Sequence, residues 1–265
     1  MAIREQPRIA VRDMDLAYGG EPIQRDIDFT VDPGQIFIIM GGSGTGKSTL
    51  LKQMIGLKPP VRGEVCYDGQ PFWTGPEEGR LTAMRRFGVL YQSGALWSSM
   101  TLIENVALPL REYSGLSAGD IAELAAFKLA LVGLAGFEDY YPSQISGGMR
   151  KRAGLARALA LDPDILFFDE PSAGLDPVSA RRLDDLVLQL RDSLGATFVV
   201  VTHELASIFA IGDHSILLDA EAGTMIASGN PKTLLRDSDD ARVRTFLTRG
   251  DERSPGSATR TEVGA

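Results

Sequence analysis

The sequence contains a single cysteine, Cys66, among 265 residues. One thiol cannot close a disulfide within the chain, which is typical of proteins that fold in a reducing compartment. The sequence also lacks an uninterrupted apolar run of the roughly 20 residues that a membrane-spanning helix needs. The best candidate, residues 121–134, is broken by Glu123 and Lys128, and the polar residues 1–8 contain no apolar signal-peptide core. We therefore expect a cytosolic chain that takes part in membrane processes only through a partner.

Positive charge is also in short supply. Lys and Arg total 27 against 35 Asp and Glu, which leaves a net charge of −8. A nucleic-acid-binding domain is usually basic, so we expect no nucleic-acid partner. A nucleotide ligand is compatible with this charge, because backbone amides and one lysine can hold phosphate within an acidic protein. With 44% hydrophobic residues, the chain has enough apolar surface for a sizeable core.

Short apolar segments alternate with helical patterns along the chain. Residues 36–40, 165–168 and 197–202 are apolar or β-branched throughout, which indicates strands buried on both faces of a sheet. Residues 178–194, between the last two segments, carry apolar side chains at helical spacing. A strand, a helix and a strand in this order predict a right-handed parallel crossover, and hence an α/β fold with a mainly parallel core sheet.

Other parts of the chain differ from this pattern. Residues 9–12, 27–31 and 63–69 are short and partly alternating, which favours an antiparallel β subdomain near the N-terminus. Residues 98–143 have little strand character and contain a helical stripe of apolar side chains, which indicates a helical insertion. The polar residues 251–265, rich in Ser, Thr, Gly and charge, are typical of a disordered tail.

A glycine-rich loop carries the strongest functional signal. Residues 41–48 match the pattern G-x-x-x-x-G-K-[ST], and they lie between a predicted buried strand and a helical pattern. Glycines let backbone N–H groups point at phosphates, and the helix N-terminus adds its dipole. Lys47 would reach the β- and γ-phosphates, and Ser48 would offer its hydroxyl to Mg²⁺. The alternative, a glycine turn that only caps a helix, does not explain the Lys-Ser pair. The loop residues are Gly41, Gly42, Ser43, Gly44, Thr45, Gly46, Lys47 and Ser48.

Polar residues follow two of the predicted buried strands. Asp169 and Glu170 end the second strand, and His203 follows the third. Ligands bind at the carboxyl ends of parallel strands, so Asp169 would hold Mg²⁺ and Glu170 would polarise the attacking water. The alternative is that Asp169 caps the next turn and Glu170 is solvated. A lone histidine is more often structural, but His203 shares the edge of the sheet with the other sites, which favours a γ-phosphate contact.

A second helix start is suited to binding an anion. Ser146 is a natural N-cap, and Gly147 and Gly148 leave the first amides of the following helix uncovered. The sequence offers no anion of its own for this helix. A second nucleotide site, or the same nucleotide reached from another subunit, would explain it, whereas a capped surface helix is the alternative.

These motifs together resemble the ATPase subunit of an ATP-binding-cassette (ABC) transporter, from about Ile9 to about Leu235. The resemblance places Gln92 at the family's Q-loop glutamine and Tyr18 at the aromatic residue that stacks on adenine. Asp176 lies in the segment that resembles the D-loop, and Thr49 joins the nucleotide contacts. Residues 145–149 resemble the signature LSGGQ, with Ile145 and Met149 replacing the usual Leu and Gln.

The resemblance implies a P-loop ATPase domain over residues 1–250, with a helical subdomain at about 93–145. It also implies a homodimer that binds ATP and Mg²⁺ between its subunits, with Ser146, Gly147 and Gly148 of one copy facing the nucleotide of the other. Glu170, His203 and Gln92 would be catalytic. Ser48, Gln92 and Asp169 would hold the metal ion.

Several segments resemble the ATPases of Mla-type and Mce-associated lipid transporters. They are residues 91–97, 105–112 and 240–247, together with Met149. This resemblance implies phospholipid transport energised at the cytoplasmic face of the inner membrane. The implied partners are an integral-membrane permease, an Mce-domain lipid-binding protein and a small STAS-domain protein. Two alternatives share the motifs: an importer ATPase for a small polar solute, and a soluble ABC ATPase such as one in iron–sulfur cluster assembly.

Overall fold

The computed structural model describes residues 6–250, so the tail predicted at 251–265 lies outside the described residues. The strands are β1 (Ile9–Tyr18), β2 (Glu21–Val31), β3 (Ile36–Gly41), β4 (Arg62–Tyr67), β5 (Gln70–Pro71), β6 (Phe87–Leu90), β7 (Ile165–Asp169), β8 (Thr197–Val201), β9 (His214–Asp219) and β10 (Thr224–Gly229). The α-helices are α1 (Lys47–Met54), α2 (Glu77–Met84), α3 (Leu102–Tyr113), α4 (Ala118–Leu131), α5 (Gly147–Ala158), α6 (Pro177–Leu194), α7 (Leu205–Ile211), α8 (Pro231–Asp237) and α9 (Ala241–Thr248).

The central sheet has the order β10-β9-β3-β8-β7-β6. Its pairings are parallel except for β9 with β10, which is antiparallel. Strands β7 and β8 are parallel neighbours joined by α6, which confirms the predicted crossover. The α/β fold with a mainly parallel core sheet is therefore confirmed. The carboxyl ends of β3, β7 and β8 lie at one edge of this sheet, so the loops that follow them meet there.

A smaller antiparallel sheet, in the order β2-β1-β4-β5, confirms the predicted N-terminal β subdomain. Strands β1 and β2 are longer than the sequence pattern indicated, because β1 continues past Arg12 through irregular pairing with β2, whereas β4 ends at Tyr67, before the predicted residue 69. Asp13 adopts a positive φ of 47° in this irregular part, which interrupts the alternation that normally marks a strand.

Alternate side chains of the central sheet enter two separate hydrophobic cores. Ile36, Ile38 and Met40 of β3 pack with apolar residues of the helices, including those of α3 to α7. Phe37 and Ile39 of the same strand pack with the antiparallel sheet and α1. The strand is buried on both faces, as its continuous apolar sequence predicts.

Helices α3 and α4 occupy the region where the sequence predicts a helical insertion. Thr101 begins α3 with a capping box in which its side chain and that of Glu104 exchange hydrogen bonds with the backbone. Buried Asn105 fixes the preceding segment, because its side chain accepts from the Trp97 amide and donates to the Trp97 carbonyl. None of the helices in the described part of the chain has the length and apolar character required to cross a membrane.

Candidate nucleotide site

The loop between β3 and α1 has the backbone geometry of a phosphate cradle. Gly44 and Gly46 have positive φ angles of 79° and 92°, which side chains rarely adopt. Gly41 has no room for a side chain, because a Cβ there would lie 2.6 Å from the carbonyl oxygen of Leu218. The Thr45 hydroxyl donates to the Gly42 carbonyl at 3.0 Å and fixes the turn. The loop therefore leads into the first turn of α1 as a tight glycine-rich turn, the kind of turn whose backbone N–H groups bind anions.

Lys47 is held against this loop. Its Nζ donates to the carbonyl oxygens of Gly41 at 2.9 Å and Gly42 at 2.8 Å, and only 8% of the residue is exposed. Burial lowers the pKa of Lys47, while the charges of Glu170 and Asp169 act in the opposite direction. A partly desolvated ammonium group is suited to binding a phosphate, because a bound phosphate would place further negative charge beside it.

Ser48 and Asp169 form an oxygen pair across the sheet. The Ser48 hydroxyl donates to Asp169 Oδ1 at 3.1 Å, although the two residues come from different segments of the chain. Burial raises the pKa of Asp169, and the hydrogen bond from Ser48 opposes this rise. Mg²⁺ prefers one or two protein oxygens completed by phosphate and water. This hard-oxygen pair beside the phosphate loop fits that requirement.

Glu170 lies directly after Asp169 in a strained backbone conformation, with a φ of 50°. One side-chain oxygen, Oε1, is 2.8 Å from Nδ1 of His203. The other, Oε2, is buried and has no hydrogen-bond partner among the described residues. A buried carboxylate oxygen left without a donor is costly unless something else supplies a proton to it. An oxygen in this position can accept a hydrogen bond from a bound molecule.

Most of these residues line one cleft of about 1030 Å³, whereas Gly41, Thr45 and Asp169 are not part of the lining that the described residues form. Gln92, Glu170 and His203 line it opposite the phosphate loop, and Thr49 contributes from α1. The loop residues Gly42, Ser43, Gly44, Gly46, Lys47 and Ser48 also line it. The structure thus brings together residues that sequence reasoning selected from four separate segments. The side chain of Tyr18, predicted to stack on adenine, lies outside the described residues.

Comparisons with known proteins agree with this geometry. The family model described as "ABC transporter" matches residues 24–173. The "Intermembrane phospholipid transport system ATP-binding protein MlaF" of Escherichia coli K12 is 40% identical over 240 residues, which cover 90% of this chain and 88% of MlaF. This chain belongs to the ABC transporter family. Its Gly41–Ser48 segment is therefore the Walker A loop of that family, and β7 with Glu170 is the Walker B strand.

Two further ABC relatives extend the comparison. The "Probable ribonucleotide transport ATP-binding protein mkl" of Mycobacterium tuberculosis H37Rv is 41% identical over 239 residues, and this chain spans 66% of its length. The dimeric post-hydrolysis structure of the ATP-binding cassette MJ0796, bound to ADP and Pi, has a TM-score of 0.75 and 30% identity. That match covers 84% of this chain and 98% of the MJ0796 chain.

The ABC signature segment lies apart from the cleft. Ser146 caps α5, and its Oγ accepts from the Met149 amide at 3.2 Å. Within the described part of the chain, neither Ser146 nor the glycines Gly147 and Gly148 line the cleft. Asp176 lies near them and caps α6 by accepting from the amides of Val178 and Ser179. Among the residues that the structure describes, the start of α5 therefore takes no part in the cleft beside the chain's own Walker A loop.

Helix α5 holds three neighbouring loops through its cationic side chains. Arg157 donates to the carbonyl oxygens of Gly94 and Ala95, just after Gln92. Arg152 donates to the carbonyl oxygens of Val132 and Gly133, which follow α4. Lys151 donates to the carbonyl oxygen of Glu170 at 3.1 Å. Sequence reasoning did not single out these residues, because their partners are backbone atoms that only tertiary packing brings close.

The cleft also includes residues that no motif indicated. Thr245, Phe246 and Arg249, at the end of α9, line it beside Glu204. Arg249 and Glu204 form an ion pair at 3.0 Å. No sequence signal marks these positions as cleft residues, because α9 reaches the cleft only through the packing of α8 and α9 onto the core.

Proposed function

We propose that this chain is the ATP-binding and ATP-hydrolysing subunit of a transporter that moves phospholipid. One observation carries the ATPase assignment: Lys47, Ser48 and Glu170 line a single cleft, and Ser48 is hydrogen-bonded to Asp169 behind it. The phospholipid assignment is supported by 40% identity with the phospholipid transport protein MlaF over nearly all of that protein. It is also supported by the resemblance of residues 91–97, 105–112 and 240–247 to lipid-transport ATPases.

In this proposal the Walker A loop binds the β- and γ-phosphates of ATP through its amides and Lys47. Ser48 and Asp169, together with Gln92, would hold Mg²⁺, which would supply charge neutralisation on the phosphates. Lys47 compensates further negative charge as the bond to the γ-phosphate breaks. The protein contributes mostly positioning and electrostatic stabilisation, as in other phosphoryl transfers.

Glu170 is the proposed general base. Its Oε2 is free to accept the proton of the attacking water, while Oε1 is occupied by His203. With Nδ1 of His203 directed to Glu170, Nε2 would contact a γ-phosphate oxygen in place of Glu204 Oε1, which lies 3.7 Å from it. The pair therefore orients the base and contacts the phosphate from the same side of the cleft.

The active assembly that we propose is a homodimer with two nucleotides between its subunits. The backbone amides of Ser146, Gly147 and Gly148 lie at the start of α5, and these residues do not line the cleft of the described chain. A second copy placed head to tail would bring these amides to the γ-phosphate. Asp176, at the start of α6, would lie in the same interface. The similar cassette MJ0796 forms a dimer, which supports this arrangement.

The proposed permease contact is the surface that follows Gln92. A groove of about 500 Å³ between β6 and α3 is lined by residues such as Leu108, Pro109 and Tyr113. Tyr113 is 65% exposed and Trp97 is 58% exposed, which is unusual for large aromatic side chains. Since Arg157 ties the loop after Gln92 to α5, a permease helix seated in this groove would be coupled to the cleft.

The subunit would then be held peripherally at the cytoplasmic face of the inner membrane. An Mce-domain protein and a STAS-domain protein complete the proposed complex.

Purification of the chain from detergent-solubilised membranes tests this proposal. We expect an integral-membrane permease to co-purify, with phospholipid in the complex. We also expect ATP-dependent movement of labelled phospholipid, but not of a ribonucleotide or an amino acid, after reconstitution into liposomes. Transport of the polar solutes instead would replace the lipid assignment with an importer. An active ATPase that elutes without any integral-membrane protein would favour the soluble class and overturn the transporter assignment.

A further inference from the structure

Lys151 is a buried cation directly behind the proposed base. It lies one helical turn into α5, and only 6% of the residue is exposed. Within the described part of the chain, its Nζ hydrogen bonds to a backbone oxygen, the Glu170 carbonyl at 3.1 Å, rather than to a carboxylate. A buried ammonium is costly unless its surroundings compensate the charge. A lysine at this buried position therefore needs an explanation other than packing.

The backbone of Glu170 explains why a strong donor is needed there. Its φ of 50° is a conformation that side-chain-bearing residues rarely adopt, so neighbouring contacts must hold it. The Glu170 amide donates to the Val201 carbonyl at 2.8 Å, and the Glu170 carbonyl accepts from the Ala173 amide at 3.2 Å. Lys151 adds the charged donor to that same carbonyl. Charged donors form the stronger hydrogen bonds, so Lys151 is well suited to fix this peptide.

The electrostatics of the site give the charge a second use. Burial lowers the pKa of Lys151, and the negative charge of Glu170 opposes that change. The carboxylate of Glu170 is thus balanced by a cation on the side of its own backbone.

We propose that Lys151 is a positioning residue for ATP hydrolysis, which holds the Glu170 backbone so that Oε2 faces the attacking water. The inference rests on the proposed role of Glu170 as base. It extends that role by linking the base to the helix that begins with the signature segment. A shift of α5, when Ser146 and its glycines engage a nucleotide on a second copy, moves the Glu170 carbonyl of the same chain through Lys151.

The test compares Lys151→Met, which removes the donor, with Lys151→Arg, which keeps a charged donor, in the full chain. Lys128→Met is the matched control, because Lys128 is also buried, at 3% exposure, but pairs with Asp162 outside the cleft. We expect Lys151→Met to lower kcat roughly ten- to a hundredfold, as a misplaced catalytic group does, with little change in the Kd for a fluorescent ATP analogue. We expect Lys151→Arg to recover most of kcat.

Two results would overturn the proposal: a kcat in Lys151→Met that is unchanged at saturating ATP, whatever the change in ATP affinity, or an equal loss of kcat in Lys128→Met. Should the methionine variant fail to fold, Lys151→Ala takes its place with the same readouts, since water can then reach the carbonyl. Glu170→Gln, measured in parallel, separates the two proposals. If Glu170→Gln keeps the parental activity, Glu170 is not the base. If Glu170→Gln is inactive but Lys151→Met is fully active, Glu170 remains the proposed base and only the role of Lys151 is refuted.

Discussion

The Ser48 hydroxyl lies 3.1 Å from Asp169 Oδ1, which joins the end of the Walker A loop to the end of the Walker B strand. Neither residue alone would make a metal site. Together they present a hydroxyl and a carboxylate at the point where phosphate oxygens would complete the coordination of Mg²⁺. The metal requirement of the enzyme should therefore depend on both side chains.

Replacing either member of this pair should weaken the use of Mg²⁺. We expect Ser48→Ala and Asp169→Asn to raise the Mg²⁺ concentration needed for half-maximal ATP hydrolysis by on the order of tenfold or more. A magnesium titration of ATPase activity checks this. Ser193→Ala is the control, because the Ser193 hydroxyl bonds to the carbonyl of Gln189 within α6. Unchanged titrations in both variants would contradict the metal assignment.

Lys47→Ala should abolish nucleotide binding. The buried ammonium is the fixed positive charge of the Walker A loop, and a charged hydrogen bond contributes about 1.5–3 kcal/mol. We expect ATP affinity to fall at least tenfold and hydrolysis to be lost, as measured by fluorescence titration and phosphate release. Lys232→Ala, on exposed α8, is the control for loss of a lysine elsewhere. Near-normal hydrolysis in Lys47→Ala would refute the phosphate-loop assignment.

Glu170→Gln should separate binding from chemistry. The amide keeps the size of the side chain but cannot accept a proton, so we expect kcat to fall by about 10²–10⁴-fold while ATP still binds. The variant should also accumulate as an ATP-bound dimer, which gel filtration with and without nucleotide will detect. Glu138→Gln, at a surface turn beside Gly136, is the control. A Glu170→Gln enzyme that turns over at the parental rate would show that another group is the base.

Asp184 should make stability depend on pH. Burial raises the pKa of Asp184 to about 6, against a hydrogen bond from Ser207 Oγ at 3.0 Å. The groups near it on α6 are Arg181 and Asp185, and Ser172 lies beside Ser207. Because the pKa is higher in the folded state than in the unfolded state, the contribution of Asp184 to stability is full at acidic pH. It is lost as the pH rises through about 6.

Asp184→Asn removes this titration while an amide oxygen can still accept from Ser207. We therefore expect the Tm of the variant, relative to the parent, to be higher at pH 7.5 than at pH 5, in buffers on either side of the pKa. Thermal melts at the two values measure the difference. Asp192→Asn is the matched control on the same helix, because the Asp192 side chain is 67% exposed and pairs with Arg191. The same Tm difference at both values would refute the titration of Asp184.

Much of the catalytic core could be predicted because it is encoded locally. Strands β3, β7 and β8 are continuous apolar runs, and the Walker A loop is a contiguous motif. Strand β6 escaped prediction because it is four residues long and contains Gly88, which weakens strand propensity. That glycine is needed, since a Cβ there would lie 2.4 Å from the carbonyl oxygen of Ala158. The need for glycine at position 88 comes from packing between distant segments, so no sequence pattern indicates it.

The same distinction applies to the site. The residues that would touch ATP or Mg²⁺ were predicted by motif, whereas those that support them were not. The contact between Lys151 and the Glu170 carbonyl depends on how α5 packs against the end of β7. The ion pair of Arg249 with Glu204 depends on where α9 ends. Neither the hydrogen bond of Lys151 to a backbone oxygen nor the surface ion pair of Arg249 follows a fixed sequence spacing. Only the folded structure identifies them.

The cationic side chains of α5 donate to carbonyl oxygens of other segments, and this affects how the subunit can evolve. Lys151, Arg152 and Arg157 all donate to main-chain oxygens, which every residue type possesses. The three loops they hold can therefore exchange side chains, for instance to suit a different membrane partner, without losing their attachment. Residues 151, 152 and 157 of α5 cannot be exchanged as freely, because each hydrogen bond requires a long cationic side chain at that position. Divergence of specificity can accumulate in the loops while the sequence of α5 stays constrained.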